Sequence, residues 1–546
     1  MANSFKIKAN LVDIKAKEIF PAEICVKDTK IASIHKIEEQ QSTFILPGFI
    51  DAHVHIESSM VTPLAFSQAA CPFGTVATVS DPHEIANVCG IEGIQFMIEN
   101  SKHAALKIHF GAPSCVPATN FETAGAKIDS AAINTLIQSP DIYYLAEMMN
   151  FPGVLHNDPE VLKKIALTQV AGKPIDGHAP GLRGKDAADY IACGISTDHE
   201  CTTLEEAIEK AQLGMKILIR EGSAAKNFEA LVPLFAHYSK QIMFCSDDKH
   251  PDELIKGHIN QLVIRAIDLG YPLFDVLNAA CIAPVEHYKL PVGRLQEGDW
   301  ADFIIVKDLK QFEVIQTYIN GTCIAENGLS KEIYHAPMSI NNFKRTAISM
   351  IDLISKIDKD IKAIDVKTIV ALDGQLITEA ETISLPVINR AIQTDISKDV
   401  LKIVVCSRYE NTKPAVAFIK NFGLKTGAIA SSIGHDSHNI IAVGVEDDSI
   451  LNAINILIKN KGGISVCDKK DTFCMPLPIA GLMSDKNAFE AAEEYEILSD
   501  KAKALGSTLS APFMTLSFMA LPVIPKLKIT DKGLFNVNNF NFTTML

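Results

Sequence analysis

Between residues 46 and 292, eight apolar, β-prone runs alternate with amphipathic stretches, and a polar residue stands at the end of nearly every run. The runs are Phe44–His55, Gly74–Ser80, Lys107–Gly111, Asp141–Met148, Lys173–Gly177, Gly194–Asp198, Met215–Arg220 and Gln241–Ser246. Strands buried on both faces of a parallel sheet read as near-continuous apolar runs, whereas stretches such as Thr203–Leu213 carry helical periodicity. Eight such units over about 250 residues match a TIM-like (β/α)8 barrel within an α/β chain. A doubly wound sheet is the alternative, but it does not require closure at eight.

A chain of 546 residues is too long for one core and predicts two to four domains. Short strands flank the central region: Phe5–Lys8, Ile24–Val26 and Lys30–Ile34 before it, Gly293–Leu295, Gly298–Val306 and Phe312–Ile319 after it. Neither set holds a core alone. Residues 1–45 and 293–335 are therefore expected to build one composite β domain, a small β-sandwich, around the inserted barrel of residues 46–292. Residues 336–546 read as a C-terminal α/β domain. In it a helix is expected over 345–363, strands at Leu401–Cys406 and Ile440–Gly444, and a helix at Ser449–Asn460. The tail Leu527–Leu546 is expected to be loosely packed or a lid.

A net charge of −14 argues against a nucleic-acid partner. The uncharged run Ala504–Pro525 is long enough to raise a membrane span, but Pro512, Pro522 and Pro525 break it, so buried core or loop is expected and no membrane partner. Twelve cysteines without Cys-x-x-Cys spacing read as reduced thiols, and the first twenty residues hold no signal-peptide core. A cytoplasmic homo-oligomer acting on a small molecule is expected.

Barrels of this kind carry their chemistry at the C-terminal strand ends. There the chain has His53 and His55, the stretch Asp81-Pro82-His83-Glu84, then Glu147, His178, His199 and Asp247. Residues i and i+2 of a strand share a face, so His53 and His55 can aim at one point. Four imidazoles and two carboxylates exceed a tetrahedral zinc site and suit two divalent ions. Glu147, in the apolar context Tyr143–Met149, has two oxygens with which to bridge them. Asp247 is expected to ligate one ion and shuttle a proton, while Asp248 fits a helix cap. His83, Glu84, Arg220 and Ser223 are candidates for substrate binding or support of the ligands. Asp176, Asp198 and Glu200 are candidates to orient imidazoles. The stretch His435-Asp436-Ser437-His438 either closes over the barrel mouth, holds another ion or forms a surface turn.

Leu46–Ser59, Asp81–Val88, Ala146–Val154, Asp176–Gly181, Thr197–Glu200 and Phe244–Asp248, with the His435–His438 stretch, resemble the amidohydrolase superfamily, most of all its bacterial adenine deaminase branch. Many superfamily members use a carboxylated lysine on strand four; here Glu147 stands there, which fits that branch. The resemblance implies hydrolysis of adenine to hypoxanthine and ammonia in purine salvage, by a metal-bridging hydroxide. It implies two divalent ions, manganese or iron, on His53, His55, Glu147, His178, His199 and Asp247; the same set accepts zinc. Another deaminase or cyclic amidohydrolase acting on a different purine or cyclic amide is the alternative.

Overall fold

The computed structural model describes residues 4–546. All eight central runs form strands. We number them β1 (Phe49–Val54), β2 (Thr75–Ser80), β3 (Lys107–Ala112), β4 (Ile142–Met148), β5 (Ile175–Gly177), β6 (Thr197–Asp198), β7 (Lys216–Arg220) and β8 (Ile242–Cys245). Strands β1 to β5 pair in parallel and in order, as do β6 to β8. Hydrogen bonds join the two sheets at both seams. Ser196 N donates to Ile175 O beside β5, and Asp247 N donates to His53 O across β8 and β1. The arrangement is an α/β fold of TIM-barrel type. Helices between the strands turn an apolar stripe inward: Leu204–Gln212 is capped by Thr203, which accepts from Glu206 N, and buries Ala207 and Ala211.

The first run divides at Gly48. Phe44–Pro47 belongs to a second sheet, in which it lies between Ser4–Asp13 and Phe303–Val306. The chain crosses from one sheet to the other where only hydrogen fits, because a Cβ on Gly48 would lie 2.2 Å from Val76 Cγ1. The flanking segments form one eight-stranded hydrogen-bonded sheet rather than two stacked layers. It curls round a single core of Leu11, Ile24, Ile45, Phe303 and neighbours, and Lys30 bridges to Trp300.

The C-terminal region is a nine-stranded, largely antiparallel sheet centred on Val400–Cys406 and Ile440–Gly444. Helix Asp447–Asn460 covers one face through Val404, Cys406, Ala428 and Ala442; the opposite face, with Ile403, Val405 and Ile441, joins the main core. The helix expected over 345–363 does not form. That segment is extended apart from a 3-10 turn, Met350–Leu353, boxed by Ser349 and Asp352. Distant backbone supplies its partners: Lys344 N and Arg345 N donate to Arg408 O, and Ile357 N to Arg390 O. Tertiary pairing has overridden local propensity. Ala504–Pro525 holds a short buried helix, Pro512–Phe518, and the tail is a three-stranded sheet rather than a loose segment. No helix of the described residues is long and apolar enough to cross a membrane.

Candidate metal centre

Seven ionisable side chains gather at the C-terminal ends of the parallel strands, and none of His53, His55, His83, Glu147, His178, His199 and Asp247 is more than 7% exposed. Charges so placed must neutralise one another or hold a cation. Strand geometry aims the first pair, whose Nε2 atoms lie 3.1 Å apart. Facing ring nitrogens share at most one proton, so their lone pairs converge as a cation requires.

Glu147, at the end of β4, divides its two oxygens. Oε1 lies 3.4 Å from His55 Nε2 and 3.4 Å from His83 Nδ1. Oε2 lies 2.7 Å from His178 Nδ1 and 3.2 Å from His199 Nε2. Asp247 Oδ1 reaches the first strand, 3.3 Å from His55 Nε2 and 3.6 Å from His53 Nε2. The residue adopts a left-handed backbone, φ 56°, which Asp tolerates better than most residues; its N–H and C=O bond to β1 around His53 and His55. Its other oxygen accepts from Arg220 Nη1 at 2.6 Å, and the same guanidinium grips the Glu200 carboxylate.

The electrostatics follow from this packing. Burial pushes the Glu147 and Asp247 carboxyls up, but His178 and His199 beside the first and Arg220 beside the second outweigh it and hold both well below the usual range. Burial lowers the His178 imidazole, yet Glu200 and Glu147 overcome it and raise the ring to about 9. Protons thus balance the cluster, and a cation would displace them. Among the sets of donor atoms that lie within 4.8 Å of one another are His55, Asp81, His83 and Glu147; His53, His199 and Asp247; Glu147, His178 and His199; His55, Asp247 and Asp248; and His83, Glu84 and Asp436. Asp81 Oδ2, His83 Nδ1 and His178 Nε2 are buried without a hydrogen-bond partner, although the first two are 3.1 Å apart. Unbonded polar atoms facing one another fit a cation between them. The residues present therefore suit a divalent metal centre.

The fold brings all six candidate ligands together and adds to them. Asp81 and His83, at the start of helix His83–Cys89, face Glu147 and His55 directly; the run of polar residues after β2 was the available signal. Glu84 lines the same cavity, 3.6 Å from His83 Nε2, and is clamped by His435 and His438, which therefore do not form a surface turn. Arg220 holds Asp247 and Glu200. Ser223 faces away from the cavity, donating to Glu253 and accepting from His250 N, because its loop packs against the start of the neighbouring helix Pro251–Leu254. Asp248 is not a helix cap; it accepts from Ser58, while Ser59 donates to Lys249 O, so the two serines tie the β1 loop to the β8 loop. Of the proposed orienting carboxylates, Glu200 lies 3.4 Å from His199 Nε2. Asp176 instead takes both its bonds from Tyr288, and Asp198 pairs with Lys210. Asp51 escaped notice in the apolar first run; it binds His258 at 2.8 Å and Ser246.

Residues 44–324 match the amidohydrolase family, and residues 375–541 match the adenine deaminase C-terminal domain. A Sulfurovum protein named adenine deaminase is 53% identical, over 98% of this chain and 99% of its own length. Proteins of the same name from Parabacteroides distasonis and Methanosarcina mazei are 49% and 50% identical, over 100% and 98% of this chain and 99% and 98% of their own lengths. The chain belongs to the adenine deaminase family of amidohydrolases.

Proposed function

We propose that this protein hydrolyses adenine to hypoxanthine and ammonia in purine salvage, on a pair of divalent ions held by His53, His55, Glu147, His178, His199 and Asp247. The observation that carries the reading is Glu147: one buried carboxylate whose two oxygens face two different imidazole sets. The family match and the ammonia-releasing chemistry named for the relatives support it. Manganese or iron is the proposed metal, the nitrogen-and-oxygen donor set also accepting zinc. We take the two parallel sheets as one closed (β/α)8 barrel over residues 46–292. The flanking β segments and residues 336–546 are the two further domains, and the protein is cytoplasmic.

Bound there, two divalent ions supply Lewis acidity and an acidified water at C6 of the purine. The protein supplies the proton path. Asp247 Oδ1 faces the site, and Arg220 keeps the carboxylate ionised and oriented through Oδ2. Asp247 takes a proton from the attacking water and delivers it to the departing amine, so that the C6–O bond forms, the C6–N bond breaks and ammonia leaves neutral, while the second proton of the water ends on N1 of the product. His55 and His199 fix the geometry of the carboxylates. The test is the change in absorbance from adenine to hypoxanthine on manganese-loaded protein, with ions counted per chain. Two ions and adenine turnover are expected; turnover of a hydantoin or guanine in preference to adenine would overturn the substrate assignment.

A further inference from the structure

The metal-facing residues are one wall of a buried cavity; the other wall comes from the C-terminal region. Leu376, Phe518, Leu521 and Ile524 make it apolar, and His435 and Asp436 are its polar groups. We propose that His435 and Asp436 read the imidazole-ring edge of the purine, with its ring plane lying against Phe518, Leu521 and Ile524. This rests on the deamination reading above and names the residues that select its substrate.

Three observations support it. First, both polar side chains are buried yet incompletely used. His435 is 2% exposed and Asp436 2% exposed, and His435 Nε2 and Asp436 Oδ2 have no hydrogen-bond partner. Buried polar atoms left unpaired by the protein call for a partner from outside it. Second, His435 is fixed in place for such a task. Its Nδ1 bonds Glu84, and its ring stacks on Phe518 with centroids 4.3 Å apart, which leaves Nε2 as the free atom. Burial lowers this imidazole, but Glu84 and Asp248 outweigh it and push it up to about 9, so Nε2 carries a proton to donate to a ring nitrogen. Third, Asp436 stands one imidazole away from the ion-facing set. His83 faces Glu147 with Nδ1 at 3.4 Å and Asp436 with Nε2 at 3.8 Å. A fused bicyclic ring whose C6 lies at the metals reaches this wall with its five-membered ring, where Asp436 accepts the ring N–H.

An apolar face beside a donor and an acceptor matches a flat heterocycle. The cavity is about 20 Å³, room for about one water, so a purine enters only when the apolar wall moves outward. A second cavity of about 240 Å³ shares Met149 with it.

The test is steady-state kinetics of manganese-loaded His435→Gln and Asp436→Asn, with ions counted and hypoxanthine as competitive inhibitor. KM for adenine and the inhibition constant for hypoxanthine should rise together, about 10- to 100-fold. The change in kcat should be under about tenfold, with two ions retained. A second measurement needs no variant. On the wild-type protein 9-methyladenine, which lacks the ring N–H, should bind about 10- to 100-fold more weakly than adenine. Unchanged KM in both variants, loss of an ion from either, or equal binding of 9-methyladenine would overturn the assignment. Failure of the wild-type protein to deaminate adenine would instead overturn the reading on which it rests.

Discussion

Two buried glutamates in this molecule are each clamped between imidazoles, and they do different things. Glu147 takes His55, His83, His178 and His199 from neighbouring strand ends of one sheet system. Glu84 takes His435 and His438 from a loop more than three hundred positions along the chain. Burial pushes both carboxyls up, and the imidazoles outweigh it, holding both well below the ordinary range. Around Glu147 the partners crowd one point from several sides, and unbonded atoms remain, so the set can exchange protons for cations. Around Glu84 two rings come from one distant loop and a third, His83, from the barrel side at 3.6 Å, and the His435 and His438 pairs form a clasp that seats the C-terminal region over the strand ends. The difference lies in where the partners come from: strand ends of one sheet system gather at Glu147, whereas two distant regions of the chain meet at Glu84.

The largest effect should come from Glu147→Ala. Loss of at least one ion per chain and a fall in kcat of at least ~10⁴-fold are expected, since both metal and proton chemistry depend on this residue. Ion counting beside the adenine assay checks it; a fully loaded, active variant would remove the contrast between the two glutamates. Asp247→Asn should cut kcat by roughly 10²- to 10⁴-fold, much more than it cuts ion content. A variant that lost ions in proportion to activity would make Asp247 a ligand without a proton role.

Glu84→Gln should leave both ions in place while weakening the clasp. Removing one partner of a buried, charge-assisted pair costs about 1–3 kcal/mol, read as a lower thermal midpoint. If it emptied the metal centre as Glu147→Ala does, the clasp would be part of the centre.

An effect on stability alone, spread over several pH units, concerns Lys528, whose buried Nζ donates to Leu376 O at 2.7 Å and Phe518 O at 2.9 Å, tying together two residues of the apolar wall. Burial lowers its pKa to about 7. Unfolding returns the ammonium toward about 10.4, so between these values the unfolded chain binds more protons and stability rises with pH. A slope of up to about 1.4 kcal/mol per pH unit is expected between about pH 7 and 10. Urea unfolding at several pH values should show it in the wild-type protein and lose it in Lys528→Met.

The six side chains His53, His55, Glu147, His178, His199 and Asp247 were legible in the sequence as a strand-end set because each ends an apolar run, and side-chain alternation along a strand is a local rule. His53 and His55 follow from a period of two, and Glu147 from a carboxylate stranded among Tyr144, Leu145 and Met148. The handover at Gly48 was not legible, since Phe44–His55 is one apolar run and hydrophobicity does not say which sheet a strand joins. Nor was the extended course of residues 345–363, whose partners at Arg390 and Arg408 lie far along the chain.

By itself, the sequence determined the order of strands and helices in the central region, the residues at the strand ends and the donor types available to a cation, because these depend on neighbours within a few residues. Only the tertiary structure decided that His83 and Asp81 face Glu147, that Ser223 does not face the site, and that His435 and Asp436 complete the cavity. Those outcomes depend on contacts across tens to hundreds of residues, and in this molecule the packing of the C-terminal sheet against the barrel's strand ends creates them.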